Sequence, residues 1–324
     1  MSDRFSRYLT LLLIVLAGAA LHQVGRLIGF PPLIIAIALG MVVGALAGET
    51  GWRKPVESGG KLVLRAGVVL LGGSIAVTEF ARLGWPVIAA LALLVPLIVT
   101  LGWAIGRRAG LGNEGGLLCG VGVGICGASA TAAAAGILGD DRNIAKHAAF
   151  TILAVTLIGT ACLIVYPLAV QMLGVADAPA GVFIGGSIHD VAQAIGAGFL
   201  VSEDAGRSAT AVKMLRVAML PLVLLGLMAL VAGRRRAEGA KIALPIFPLL
   251  FFAAVAANSL GLIPEPLPGW LNTAAKMLFA GALMTFGLQL HWREVRSGAA
   301  RYFLVAGTLS VVIAGAMAAI AAWL

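Results

Sequence analysis

Charge is the scarcest property of this sequence. Of its 324 residues, 11% are Asp, Glu, Lys or Arg, where soluble domains carry about 25%. Cysteine is nearly absent: Cys119, Cys126 and Cys162 lie in apolar runs without metal-ligand spacing, so they are read as small packing hydrophobes. No GxxxxGK[ST] phosphate loop occurs, which excludes drive by that nucleotide-binding motif. No polar linker or low-complexity tail separates the apolar runs, so no soluble domain is expected. No catalytic constellation is found, and the chain is read as a non-enzyme without a resident cofactor.

What is present is hydrophobicity, at 60% of residues with a mean hydropathy of +1.03. A helical span needs about 20 apolar residues. Eleven spans are read, at 8–26, 31–48, 61–80, 86–106, 115–138, 145–173, 179–200, 208–232, 242–262, 270–291 and 299–323, in a single all-α membrane domain covering 1–324. The formal charge of +9 does not indicate nucleic acid, because the cations sit in loops beside apolar runs. With eleven spans, 14 of the 23 basic residues fall on the N-terminal side and seven on the other. By the positive-inside bias the N-terminus is cytoplasmic and the C-terminus external. The first span, preceded by Arg4 and Arg7, is read as retained rather than cleaved.

The run Gly115–Leu138 carries seven glycines. Each weakens a helix by about 1 kcal/mol relative to alanine. A span that concentrates them at its centre is expected to break there, and broken helices expose backbone groups that hold a polar solute. A helix restarting near Gly127 would aim N–H groups and a positive dipole end toward mid-membrane, where Gly124, Gly127, Ser129 and Thr131 would receive an anion. The alternative is a glycine-rich packing helix. The formal GxGxxG match at Gly122–Gly127 is dismissed, because no strand precedes it.

A second polar group lies in Gly181–Phe199, where Gly185 and Gly186 suggest another break. Ser187, Asp190 and Gln193 share a broad helical face with His189 at its flank. A carboxylate in mid-membrane is costly, and imidazole titrates in the physiological range. His189 and Asp190 are therefore coupling candidates, with Ser187 and Gln193 as substrate contacts; a structural polar knot is the alternative. Arg65 and Arg216 either snorkel to the interface or draw an anion inward.

KLVLRAGVVLLGG from Lys61 and KMLRVAMLPLVLLG from Lys213 match across five spans, and an odd offset inverts topology. The plan is an extra span 8–26, repeat one at 31–173 and repeat two at 179–323, with broken span five paired to span ten. A competing register aligns Leu64–Gly67 with Leu278–Gly281.

CGASATAAAA (Cys126–Ala135), GGSIHDVAQAIGAG (Gly185–Gly198) and PPLIIAIALGMVVG (Pro31–Gly44) together resemble the bacterial sulfate exporter family of YeiH-like inner-membrane proteins, over nearly the whole chain. The resemblance implies a relative of the cation/proton antiporter and anion transporter folds, including the bile-acid symporter type. Such a fold has inverted five-helix repeats, broken crossing helices and a core moving against a panel. The adjacent acidic pair of many cation/proton antiporters is missing. The expectation is a secondary transporter of a small anion, sulfate or a related sulfur oxyanion, coupled to a proton or sodium ion. A sodium-coupled organic-anion symporter and the membrane subunit of a sodium-pumping decarboxylase are the alternatives. The expected partners are the solute and the bilayer, with monomer and homodimer both open.

Overall fold

The computed structural model describes residues 2–28, 32–46, 53–139, 142–232, 246–288 and 299–324. All regular elements among the described residues are α-helices, which satisfy their own backbone polar groups within hydrocarbon. Six are long and apolar enough to cross a membrane, and shorter apolar helices lie between them.

The chain forms two compact units. One contains α1 (Ser2–Ile28), α2 (Pro32–Leu46), α3 (Arg53–Gly72), the first residues of α4 (Val77–Arg108), α12 (Phe247–Ser259) and α13 (Leu267–Leu288). Here α13 is the centre, packed on α1, α2 and α3. Small residues permit the approach: Gly18 lies on Gly281, and Gly40 on Gly287, as in small-residue membrane interfaces. Pairing with broken span five implies a break in span ten as well; this is corrected here, because α13 runs as one helix from Leu267 to Leu288.

The second unit takes the rest of α4, then α5 (Gly112–Gly124), α6 (Ala128–Leu138), α7 (Arg142–Met172), α8 (Asp177–Ser187), α9 (Val191–Val201), α10 (Glu203–Ala218), α11 (Leu220–Ala232) and α14 (Ala300–Trp323). Span five is broken between α5 and α6, as its glycines suggest. Span seven is broken between α8 and α9. Neither broken span crosses the unit.

The contacts fix this. Along α5, Gly115 lies against His147, Cys119 against Thr151, and Gly122 against Thr151 and Val155. Both numbers rise together, so α5 runs parallel to α7. The next helix, α6, is entered at its N-cap Gly127 beside Val155 and ends four residues before the start of α7. It therefore runs back, and Thr131 faces Gly122 across the turn. In the second pair, Gly181 meets Ala205 and Ser208, and Gly185 meets Ala209, so α8 runs parallel to α10. Gly198 meets Ala205, Gly206 and Ala209, and α9 ends two residues before α10 begins. Each pair is a re-entrant hairpin. Hairpin one is α5–α6, clasped by α7; hairpin two is α8–α9, clasped by α10. Arms of 13 and 11 residues reach about 20 and 17 Å, roughly half a bilayer core of about 30 Å.

This corrects the reading of 115–138 and 179–200 as crossing spans. The apolar length suits a span because two half-length arms add to one whole. Cysteines placed at Asn113 and Gly139, in a background without native cysteine, should react with a membrane-impermeant maleimide from the same side. Asp177→Cys and Glu203→Cys should both react from the opposite side. Labelling of the two ends of either hairpin from different sides would contradict the hairpins.

Candidate functional site

The two hairpin tips meet. A methyl group at Gly127 would lie 3.8 Å from the Cα and N of Asp190. At the first tip, Gly127 has φ +67° and ψ −124°, a backbone geometry open to glycine. Its N–H reaches back to the Gly122 carbonyl at 2.9 Å, a helix-ending bond. At the second tip, Ile188–Asp190 are extended or bent, and Asp190 caps α9 through an Oδ1 that accepts from the Ala192 N–H at 2.8 Å.

Stopping α5 and α8 at this depth leaves their last carbonyls without helical partners. An unmet carbonyl in hydrocarbon costs several kcal/mol. Two cations from α10 meet them. Lys213 Nζ donates to the carbonyls of Ile125 at 3.0 Å, Ile188 at 2.7 Å, and His189. Arg216 donates from Nε to Gly124 at 3.1 Å, from Nη2 to Val123 at 2.7 Å, and from Nη1 to Gly186 at 2.7 Å and Ile188 at 3.2 Å. Both side chains have no solvent exposure. An ammonium has three donors and a guanidinium five, so Lys213 is saturated and Arg216 retains one N–H. The spacing i, i+3 puts both on one face of α10. Pro221 follows, and its missing N–H accompanies the change of helix at Met219.

Lys213 is absent from the site residues expected from the sequence, where its place near a span end reads as one of the seven basic residues on the external side. The available signal was a Lys and an Arg one turn apart inside AVKMLRVAMLPL. Its proposed equivalent, Lys61, instead makes an exposed ion pair with Glu57 at 2.5 Å, so the Lys61–Lys213 correspondence does not extend to environment.

The other expected residues divide. The Gly124 carbonyl is held by Arg216. Thr131 is buried and spends its hydroxyl on the Gly127 carbonyl at 3.0 Å, which secures the turn. Ser129 is exposed at the start of α6, with Oγ 3.0 Å from Cys126 Sγ. His189 is buried, and its Nε2 lies 2.8 Å from Ser310 Oγ on α14. Gln193 ties α9 to α7, donating from Nε2 to the Thr156 carbonyl at 3.2 Å and to Thr160 Oγ1 at 2.9 Å. Among these expected residues, three buried atoms have no hydrogen-bond partner of normal geometry: Ser187 Oγ, His189 Nδ1 and Gln193 Oε1. Arg216 is a tie between tips, not a snorkelling side chain. Arg65 belongs to the first unit, exposed and 5.7 Å from the Phe247 ring centre, a placement that suits snorkelling. No cluster that could hold a metal ion occurs among the described residues.

Chemically, the centre combines two buried cations, the partly exposed Asp190 and two helix N-termini. The N-termini differ: α9 receives the Asp190 carboxylate, whereas at α6 the equivalent position is Gly127, which has no side chain, and the neutral Cys126 Sγ lies beside Ser129 Oγ and the Ala130 N–H.

A family model described as Conserved hypothetical protein 698 matches residues 8–306. Curated relatives include a UPF0324 membrane protein of Chlorobaculum tepidum, 34% identical over 88% of this chain and 81% of its own. The UPF0324 membrane protein TauZ of Paracoccus pantotrophus is 37% identical over 81% of this chain and 79% of its own. Another UPF0324 membrane protein, from Rhizobium meliloti, is 36% identical over 88% and 84%. No solved structure matches the chain. The apolar helices and these relatives make this a multi-pass membrane protein.

Removing Lys213 with Lys213→Met should strand the buried carbonyls of Ile125 and His189, leave Ile188 to Arg216 alone, and cost at least about 3 kcal/mol, since bonds from charged donors contribute about 1.5–3 kcal/mol each. Lys61→Met, which removes an exposed i,i+4 pair, should cost about 0.5 kcal/mol or less. Thermal unfolding in detergent checks the order; equal shifts would deny Lys213 its role.

Proposed function

The chain belongs to the UPF0324 family of membrane proteins, and from that premise we propose that it is a secondary transporter of a small anion, sulfate or a related sulfur oxyanion. The observation that carries this reading is the contrast between the two hairpins. At α9 a carboxylate meets the helix N-terminus. At α6 the same place is a glycine followed by exposed Ser129. A helix N-terminus favours negative charge, so what Asp190 supplies to α9, a solute supplies to α6. Ser129 Oγ adds a hydroxyl, and Lys213 and Arg216 keep the surroundings cationic. A sodium ion is a poorer guest, because the carbonyls that would ligate it already accept from Lys213 and Arg216.

The residues act in distinct roles. Gly124 and Gly127 shape the first tip, and Thr131 locks it. Gln193 fastens the second tip to α7. Alternating access presents the tips to each side in turn. Export across a bacterial inner membrane follows the family resemblance, driven by a gradient or by the solute itself.

Two hairpins that return rather than cross reduce eleven crossings to nine and leave the termini on opposite sides. Arg142 and Lys146 then join the N-terminal side, and Lys213 leaves the loop set. Only Arg26, Arg82, Arg207 and Lys276 remain on the far side, against 16 basic residues on the N-terminal side. The positive-inside bias sharpens from two-to-one to four-to-one, which supports a cytoplasmic N-terminus.

Uptake of labelled sulfate, sulfite, thiosulfate and small carboxylates into liposomes holding the purified protein tests the substrate class. Ser129→Asp is the informative variant. A carboxylate in the first turn of α6 should stabilise that helix by about 0.3–1 kcal/mol, while competing with the solute and lowering uptake at least tenfold. Undiminished uptake in Ser129→Asp would remove the anion site from α6.

A further inference from the structure

The hydrogen bonds around His189 fix where its proton sits. Ser310 Oγ is 2.8 Å from His189 Nε2 and 2.5 Å from the Ala306 carbonyl oxygen. A serine hydroxyl has one hydrogen, and a carbonyl only accepts. The Ser310 hydrogen therefore goes to Ala306, and Ser310 Oγ accepts from Nε2–H of His189. A neutral imidazole has a single N–H. With that N–H on Nε2, Nδ1 carries no proton, is fully buried and makes no hydrogen bond of normal geometry, while the ring lies beside the Val123 carbonyl of hairpin one, an acceptor for a protonated imidazole.

The charged and titratable groups facing this imidazole are few. Helix α10 brings Lys213 and Arg216, and Lys213 also binds the His189 carbonyl. Hairpin one brings Cys126, an electrostatic neighbour of Lys213. Asp190 is the next residue, its Oδ1 engaged by the Ala192 N–H. Helix α14 brings neutral Ser310, and α7 reaches the hairpin through Thr156, Thr160 and Gln193. The start of α6 lies against residue 190, because Gly127 and Asp190 are in backbone contact.

We propose that Nδ1 of His189 is the proton-binding site of the transporter and that it is filled together with the anion at the start of α6. The inference rests on the function proposed above and names the coupling residue within it. A proton on Nδ1 and an anion at α6 are opposite charges held on adjoining hairpin tips. Each favours the other, and the coupling is reciprocal by linkage. Both then travel in the same direction. Asp190 takes no proton in this scheme; it caps α9 and positions the tip.

The test uses the full-length protein in detergent, in weakly buffered solution with a pH indicator, titrated with sodium sulfate from pH 5.5 to 8. Binding is followed by calorimetry in buffers of different ionisation heat. Wild type should take up about one proton per bound sulfate in part of that range, with affinity strengthening up to about tenfold per unit fall in pH. His189→Gln should bind sulfate without proton uptake and with affinity independent of pH. Asp190→Asn should keep the uptake. Ser310→Ala, which retains the imidazole but frees its tautomer, should move the pH midpoint of uptake. Sulfate binding without proton uptake in wild type, full uptake in His189→Gln, or an unmoved midpoint in Ser310→Ala would each overturn the inference and leave the anion transporter standing. Failure to bind sulfate, sulfite or thiosulfate would overturn the function and the inference together.

Discussion

A helix that stops inside a membrane must find donors for its last carbonyls, and the second unit is organised around that requirement. Two helices, α5 and α8, stop there. Six carbonyls, from Val123, Gly124, Ile125, Gly186, Ile188 and His189, receive hydrogen bonds from Lys213 and Arg216 on α10. In a continuous helix these carbonyls would accept from N–H groups further along their own chain. Here two side chains from a third helix stand in for that ladder. One α10 face thus holds two tips that belong to different hairpins. Because the acceptors are backbone atoms, the tie asks little of the residues at the tips themselves, which are free to be glycine, cysteine or serine.

The same arrangement sets the electrostatics. Carbonyl dipoles disperse the two cations, but a dipole carries no net charge. With Asp190 as the one nearby carboxylate among the described residues, the centre keeps a positive bias. The returning helices α6 and α9 add their positive ends. One of these is met by Asp190 and the other opens beside Ser129. Support of the tips and preference for an anion therefore follow from one pair of residues.

Much of this was legible in the sequence. Low charge and long apolar runs gave a helical membrane protein, and the glycine run from Gly120 to Gly127 located the first tip. Gly185–Gly186 with His189 and Asp190 located the second. Two things were hidden. A re-entrant hairpin and a crossing helix have the same apolar length, since two half-spans match one whole; only the parallel run of α5 with α7 and of α8 with α10 separates them. Span ten shows no break to match span five, because likeness among Leu-, Ala- and Gly-rich helices carries little register. Lys213 was hidden because a lysine near a predicted span end reads as a loop cation, and its partners are backbone carbonyls that leave no mark in the sequence.

Lys213 and Arg216 join two re-entrant hairpin tips through backbone carbonyls. An electron cryomicroscopy map of the protein in lipid nanodiscs tests this most directly. Side-chain density from both residues should end on residues 123–125 and 186–189, with the two ends of α5–α6 at one membrane face and the two ends of α8–α9 at the other. A map in which 112–138 or 177–201 passes from one face to the other, or in which Lys213 points away from the tips, would contradict it.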